Sequence, residues 1–111
     1  MAIPLTGPLR GEVWTVAFPG AGEHPAVVLS INRLNAKLGS IAVVPVTGTS
    51  GPSGTHVPLG SEVGLTTYHE SYADVTGVQA VAKGRFRRRR GLAHPAELGR
   101  IEEQTRVYLG L

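Results

Sequence analysis

The chain has 111 residues, 41% hydrophobic and 17% charged, the balance of a folded globular protein and not of a disordered segment. It contains no cysteine, which excludes disulfide staples, thiolate nucleophiles and cysteine-based zinc sites. The net charge is +3, and Lys83, Arg85, Arg87, Arg88, Arg89 and Arg90 fall within eight residues. Such a block either attracts a polyanion through counterion release or serves as a solvated loop.

Gly11 to Phe18 (GEVWTVAF) alternates in the manner of a short strand, with Trp14 read as core. Pro19 to Glu23 carries two glycines and no apolar anchor, which predicts a mobile loop. Pro25 to Ile31 (PAVVLSI) is a continuous apolar run suited to a strand buried on both faces. Asn32 to Gly39 is polar and allows a helical turn, and Ser40 to Val46 (SIAVVPV) is a second buried strand with Pro45 near its end. Gly48 to Gly54 is a loop by composition. Thr55 to Leu59, broken by Pro58, reads as an edge strand. Glu62 to Thr67, Ser71 to Val75 and Val78 to Ala82 are further short strand candidates.

The C-terminal end changes period. Leu98, Ile101, Thr105 and Tyr108 recur at helical spacing, with Pro95 suited to the first helical position, Glu97 to N3 behind a His94 cap, and Gly110 to a C-terminal stop. These elements predict a mostly β fold, a small barrel-like sheet followed by one helix, in a single domain over 1–111. The first ten residues lack a charged n-region followed by an uninterrupted apolar stretch, and no apolar run approaches the roughly 18 residues of a membrane span. A soluble, cytoplasmic protein is expected.

Six pieces in order then carry a resemblance. Arg10-Gly-Glu-Val-Trp14, Pro25-Ala-Val-Val-Leu-Ser30, Val43-Val-Pro-Val-Thr47, the His56-Val-Pro-Leu59 to Asp74 succession with Gly64-Leu65 and Ser71, Gly91 to Leu98, and Leu109-Gly-Leu111 together resemble the MazF/PemK/Kid toxin family from Arg10 to Leu111. The resemblance implies an SH3-like small barrel with helices, assembled as a homodimer. It also implies metal-independent cleavage of single-stranded RNA by the substrate's own 2′-hydroxyl, leaving a 2′,3′-cyclic phosphate or 3′-phosphate and a 5′-hydroxyl. A cognate antitoxin with an acidic tail is the implied protein partner, and no cofactor is implied.

Such a reaction needs a base for the 2′-hydroxyl, an acid for the departing 5′-oxygen, and donors for charge building on phosphorus. The family's usual pair is an arginine before the Pro-Ala-Val-Val strand and a threonine after the third strand. Thr47 matches the threonine; its hydroxyl either donates to a phosphate oxygen or satisfies backbone at a strand end. His24 stands where the arginine belongs. Arginine is permanently charged, whereas histidine titrates near neutral pH, so His24 is expected to be the general acid or base, with charge stabilisation left to another cation. A weakened relative is the other meaning of this departure. Asp74 matches an acidic residue of some members, which place an arginine two residues earlier where this chain has Tyr72. Asp74 either orients His24, accepts a proton, or caps the turn before Thr76-Gly77.

Glu23 is a second carboxylate candidate, and His56, His69 and Glu70 are polar residues near loops or strand ends. Arg87, Arg88 and Arg89 are expected to rim an RNA groove, with Phe18, Tyr72 and Trp14 as candidates for base stacking, Trp14 being read first as core. The histidines show no metal-ligand spacing, and no Gly-rich phosphate loop is present. Two rival readings share the fold: a gyrase-poisoning toxin, whose Trp-Gly-Ile ending this chain replaces with Leu109-Gly-Leu111, and a noncatalytic RNA-binding barrel.

Overall fold

The computed structural model describes residues 7–60 and 70–111. Seven strands run in the order β1 (Glu12–Phe18), β2 (Gly22–Val28), β3 (Ser40–Thr47), β4 (His56–Leu59), β5 (Ser71–Asp74), β6 (Gln79–Ala82) and β7 (Phe86–Leu92). The helices are α1 (Asn32–Lys37) and α2 (Pro95–Leu109). The candidate strand Glu62–Thr67, Gly64-Leu65 and His69 lie outside the described residues.

The strands form one sheet in the order β4-β5-β3-β2-β1-β7, with β6 paired to β3. All the pairings are antiparallel. No pairing joins β4 to β7 among the described residues. Strand β3 is the hub. It pairs with β2 on one edge, while β6 and then β5 share its other edge, joined by a 3₁₀ turn at Val75–Gly77. That turn crosses β3 where Pro45 sits: a Cβ at Gly77 would come within 2.5 Å of the Pro45 ring. The ladder on this edge is interrupted at Val44 and Pro45, where a residue lacking an N–H is tolerated.

Each face of the sheet has its own apolar cluster. Val13, Val27, Val44, Val46, Val57, Ala73 and Val75 pack with Ala93 and Ile101 of the α2 region. Val16, Phe18, Ala26, Val28, Ile41, Val43 and Val81 fill the other side, with Trp14 and Phe86 against them. Because side chains alternate along a strand, the continuous apolar runs in β2 and β3 supply both clusters at once.

Helix α2 starts as its sequence predicts. His94 caps it through Nδ1, which accepts from the Ala96 N–H at 3.2 Å, and Glu97 reaches back to the His94 N–H at 2.7 Å. Gly110 ends it in the left-handed conformation at φ +74°, which costs a residue without a Cβ little. Glu97 is buried and also accepts from the Gly60 N–H at 2.5 Å, so the cap ties the helix to the end of β4.

Four readings are corrected. Pro19 to Glu23 is a tight turn and not a mobile loop. Pro19 and Gly20, the latter at φ +74°, turn the chain so that the Ala21 N–H meets the Phe18 carbonyl at 3.1 Å, a proline-glycine pair suited to a type II turn. Strand β2 therefore begins at Gly22 and ends at Val28, where Leu29 and Ser30 turn away toward α1. The arginine block is a strand and not a loop: Arg87 to Arg90 lie in β7, paired with β1 through two register shifts. Trp14 is half-buried, edge-on to Phe86 with ring centroids 6.0 Å apart.

Candidate active site

Register brings the predicted residues together. Strands β2 and β3 pair Ala26 with Pro45, and continuing that ladder by two residues sets His24 opposite Thr47. On the other edge of β3, Thr47 pairs with Tyr72. Residues opposite one another share a face of the sheet, as do residues two apart. His24, Pro45, Thr47, Tyr72 and Asp74 therefore project to the same side, at the end of the cluster that contains Phe18. A cavity of about 390 Å³ opens there, lined by Phe18, Pro19, Ala21, His24, Pro45, Val46, Thr47, Asp74 and Gln79. Strand β3, carrying Thr47, lies between β2 with His24 and β5 with Asp74. Two strand spacings separate the flanking backbones by roughly 10 Å.

His24 is exposed, and its Nε2 lies 2.8 Å from the Ala21 carbonyl oxygen. A carbonyl only accepts, so in the neutral ring Nε2 carries the proton and Nδ1 is left with the lone pair. The Pro19-Gly20 turn thus fixes the imidazole and leaves one nitrogen for chemistry. The Thr47 hydroxyl oxygen accepts from the Thr49 N–H at 3.3 Å. That backbone contact engages a lone pair and leaves the hydroxyl proton free to donate.

Asp74 does not orient His24. Its Oδ1 accepts from the Thr76 N–H at 3.0 Å and the Thr76 hydroxyl at 2.6 Å, capping the 3₁₀ turn. Its Oδ2 lies 3.8 Å from His56 Nε2. Turn formation through an Asx cap wins here because Thr76 is two residues away, whereas His24 stands two strands off. The Tyr72 hydroxyl donates to Glu70 at 2.5 Å. That hydrogen bond, with the nearby carboxylate charge, holds the phenol above the usual tyrosine range, so Tyr72 stays a protonated ring beside Thr47.

Phe18 is corrected as a stacking residue: only 7% of it is exposed. Its ring sits 6.3 Å from that of His24 and forms a wall behind the imidazole. The arginines divide by position. Arg85 donates to the Ala17 carbonyl at 3.2 Å, next to Phe18, and Arg87 lies 3.8 Å from Glu23, next to His24. Neither lines the cavity: Glu23 and His24 alternate along β2 and so point to opposite faces, and Arg87 also donates to the Gly84 carbonyl at 2.6 Å. Arg88 is exposed and faces Thr15 in the ladder. Arg89 is tied to Glu12 at 2.5 Å and Arg90 to Thr15 at 3.1 Å, so Arg89 belongs to a structural ion pair. Sequence reasoning missed Pro45 and Gln79 as cavity-lining residues. Only the three-dimensional register, not their spacing, reveals them.

No three His, Asp or Glu side chains converge as metal ligands among the described residues. No described helix is long and apolar enough to cross a membrane.

The profile of the family described as PemK-like, MazF-like toxin of type II toxin-antitoxin system matches residues 9–109. Endoribonuclease MazF9 of Mycobacterium tuberculosis (strain ATCC 25618 / H37Rv) is 31% identical over 113 residues, spanning 92% of this chain and 96% of its own. A solved endoribonuclease in complex with its cognate antitoxin, from a mycobacterial species, is similar with a TM-score of 0.84 and 27% identity, covering 95% of this chain and 97% of that one. The MazE-MazF structure (Form-I) from Deinococcus radiodurans reaches a TM-score of 0.80 at 20% identity, covering 96% of this chain and 99% of that one, a likeness of fold.

Proposed function

Because the chain belongs to the PemK-like, MazF-like toxins of type II toxin–antitoxin systems, we propose that it is an endoribonuclease acting on single-stranded RNA without a metal. The observation that carries this reading is the single cavity shared by His24, Thr47 and Asp74, with β3 centred between the other two strands. In-line attack of a 2′-hydroxyl on phosphorus places the base and the acid on opposite sides of the phosphate. His24 and Asp74 flank that position, and Thr47 sits between them.

In this mechanism His24 Nδ1 and Asp74 Oδ2 divide the two proton transfers. The base takes the 2′-hydroxyl proton, and the acid delivers one to the departing 5′-oxygen. The Thr47 hydroxyl donates to a non-bridging phosphate oxygen, where negative charge builds. The products are a 2′,3′-cyclic phosphate and a 5′-hydroxyl. The exposed Arg85 and Arg87, outside the cavity lining, supply positive charge that draws the RNA backbone toward this end of the sheet, and the Tyr72 ring, beside Thr47, offers a face for a base. A cytoplasmic homodimer silenced by an acidic-tailed antitoxin completes the reading; its support is the family and the neighbour solved with its cognate antitoxin.

Incubating the purified chain with a long RNA in EDTA, then mapping the ends, tests this. Discrete cuts with cyclic phosphate and 5′-hydroxyl ends are expected. Binding without cutting, or neither, overturns the proposal.

A further inference from the structure

His56 is absent from the cavity wall, yet three contacts hold its ring. Nδ1 lies 2.7 Å from the Thr55 hydroxyl, which itself donates to the Pro52 carbonyl at 2.7 Å. Nε2 faces Asp74 Oδ2 at 3.8 Å across the β4–β5 ladder, in which His56 and Asp74 are register partners. Gly51 lies so close against the ring that a Cβ there would collide with it. Only 15% of the side chain is exposed. An ordinary surface histidine needs none of this.

The contacts have a common consequence. Asp74 has one oxygen committed to the Thr76 cap and the other 3.8 Å from His56 Nε2. Since the Thr55 proton goes to Pro52, Nδ1–H donates to Thr55, and the Nε2 side attracts the carboxylate as an ion pair in the protonated ring. The loop between Thr47 and His56, which follows the Thr47 side of the cavity, is anchored to the same imidazole through Gly51 and Thr55. One ring therefore sets both the Asp74 carboxylate and the loop after Thr47.

We propose that His56 is a positioning residue of this site: in its protonated form the Nε2 side fixes the rotamer of Asp74, and through Nδ1–H and its face it holds the loop from Gly48 to Thr55. The proposal rests on the RNA-cleaving reading of the cavity. It assigns His56 no proton transfer and no contact with RNA, and it predicts a loss in turnover without a loss in binding.

The test compares two amides. Glutamine places an amide nitrogen near the Nε2 position, whereas asparagine reaches only as far as Nδ1. His56→Asn is expected to lower kcat on the order of 10-fold at unchanged KM, and His56→Gln to restore it to within about threefold. Combining H56N with Asp74→Asn should lower kcat no further than Asp74→Asn alone, since both act through one carboxylate. Gly51→Ala retains the histidine but displaces its ring, so the same kcat loss at unchanged KM is expected, and it serves where H56N does not fold.

Full activity in H56N, equal losses in H56Q and H56N, or additive losses with Asp74→Asn would overturn the inference. A wild-type chain that cuts beside an unimpaired H56N removes the role of His56 alone. A wild-type chain that cuts nothing removes the RNA-cleaving reading and this inference with it.

Discussion

The two ends of the β1–β7 ladder carry the same residue type to different purposes. At the start of β1, Glu12 is almost fully buried and gathers the Leu9 N–H at 2.7 Å, the Trp14 indole at 3.1 Å and Arg89 at 2.5 Å. Nearby, Arg10 pairs with Glu102 of α2 and donates to the Leu29 carbonyl. There the arginines turn their donors toward fixed acceptors of the fold. At the other end Arg85 and Arg87 are exposed and pair with no buried carboxylate among the described residues. Arg85 donates to the Ala17 carbonyl at 3.2 Å, and Arg87 donates to the Gly84 carbonyl at 2.6 Å and lies 3.8 Å from the exposed Glu23. The cavity near that end has polar groups that keep unused valences. A satisfied region gives stability; an incompletely satisfied one is available for a ligand.

Breaking the cavity end should cost most in function and least in stability. His24→Ala is expected to reduce cleavage by about 10² to 10⁴-fold, the usual weight of a general acid or base, with thermal unfolding unchanged because the side chain is exposed. Parallel RNA-cleavage and melting measurements check both halves, and unchanged cleavage removes His24 from the mechanism.

The helix-covered side should answer in the opposite way. Ile101 is a fully buried residue of α2, so Ile101→Ala should cost about 2–5 kcal/mol of stability. Denaturant unfolding measures this, and the fraction still folded should cleave RNA at the wild-type rate per folded molecule.

Glu12→Gln should cost about 1 kcal/mol by removing the charged acceptor shared by three part-buried donors. Burial alone raises the Glu12 pKa, but the hydrogen bonds from Leu9, Arg89 and Trp14 and the charge of Arg89 outweigh it and leave it lowered. The stabilising contribution is therefore present above the unfolded value near 4.5 and is lost as pH falls through the lower folded value. Unfolding experiments across that acid range should give a shallower decline for the variant than for wild type.

The smallest effect sharpens the contrast within β7 and its approach. Neutralising Arg85 and Arg87 to glutamine should flatten the logarithmic salt slope of RNA binding by about 1.4, as two contacts to a single strand contribute. Arg89→Gln should leave the slope nearly unchanged and lower the melting temperature instead. Equal effects on the slope from both variants would erase the distinction between the two ends.

Much of the fold was legible in local pattern. Buried β2 and β3 follow from the apolar density of Ala26, Val27 and Val28 and of Val43 and Val44. The α2 boundaries follow from His94, Pro95, Glu97 and Gly110, whose capping roles are set by chemistry within a turn or two of the helix end. Strand β7 was not legible, because four consecutive arginines have no alternation; pairing with β1 and the inward Phe86 supply its strand character. The start of β2 was equally hidden in Gly22-Glu23-His24, where the tight turn imposes the extended backbone.

The candidate site divides along the same line. His24, Thr47 and Asp74 could be named from family pattern, but nothing local sets Asp74 against His56, 18 residues earlier. Cross-strand register decides that contact, as it decides that Gln79 and Pro45 share the cavity wall. Phe18 misled because an aromatic residue near a glycine loop reads as exposed, while the turn folds it inward.

The β7 arginines have one more consequence. In the described sheet β7 is a terminal strand, and an open strand edge is a template for pairing with another copy of itself. Successive exposed cations on that edge, Arg87, Arg88 and Arg89, repel such a copy. That row of charges guards the edge, and a chain stripped of all of them would become prone to edge-to-edge aggregation.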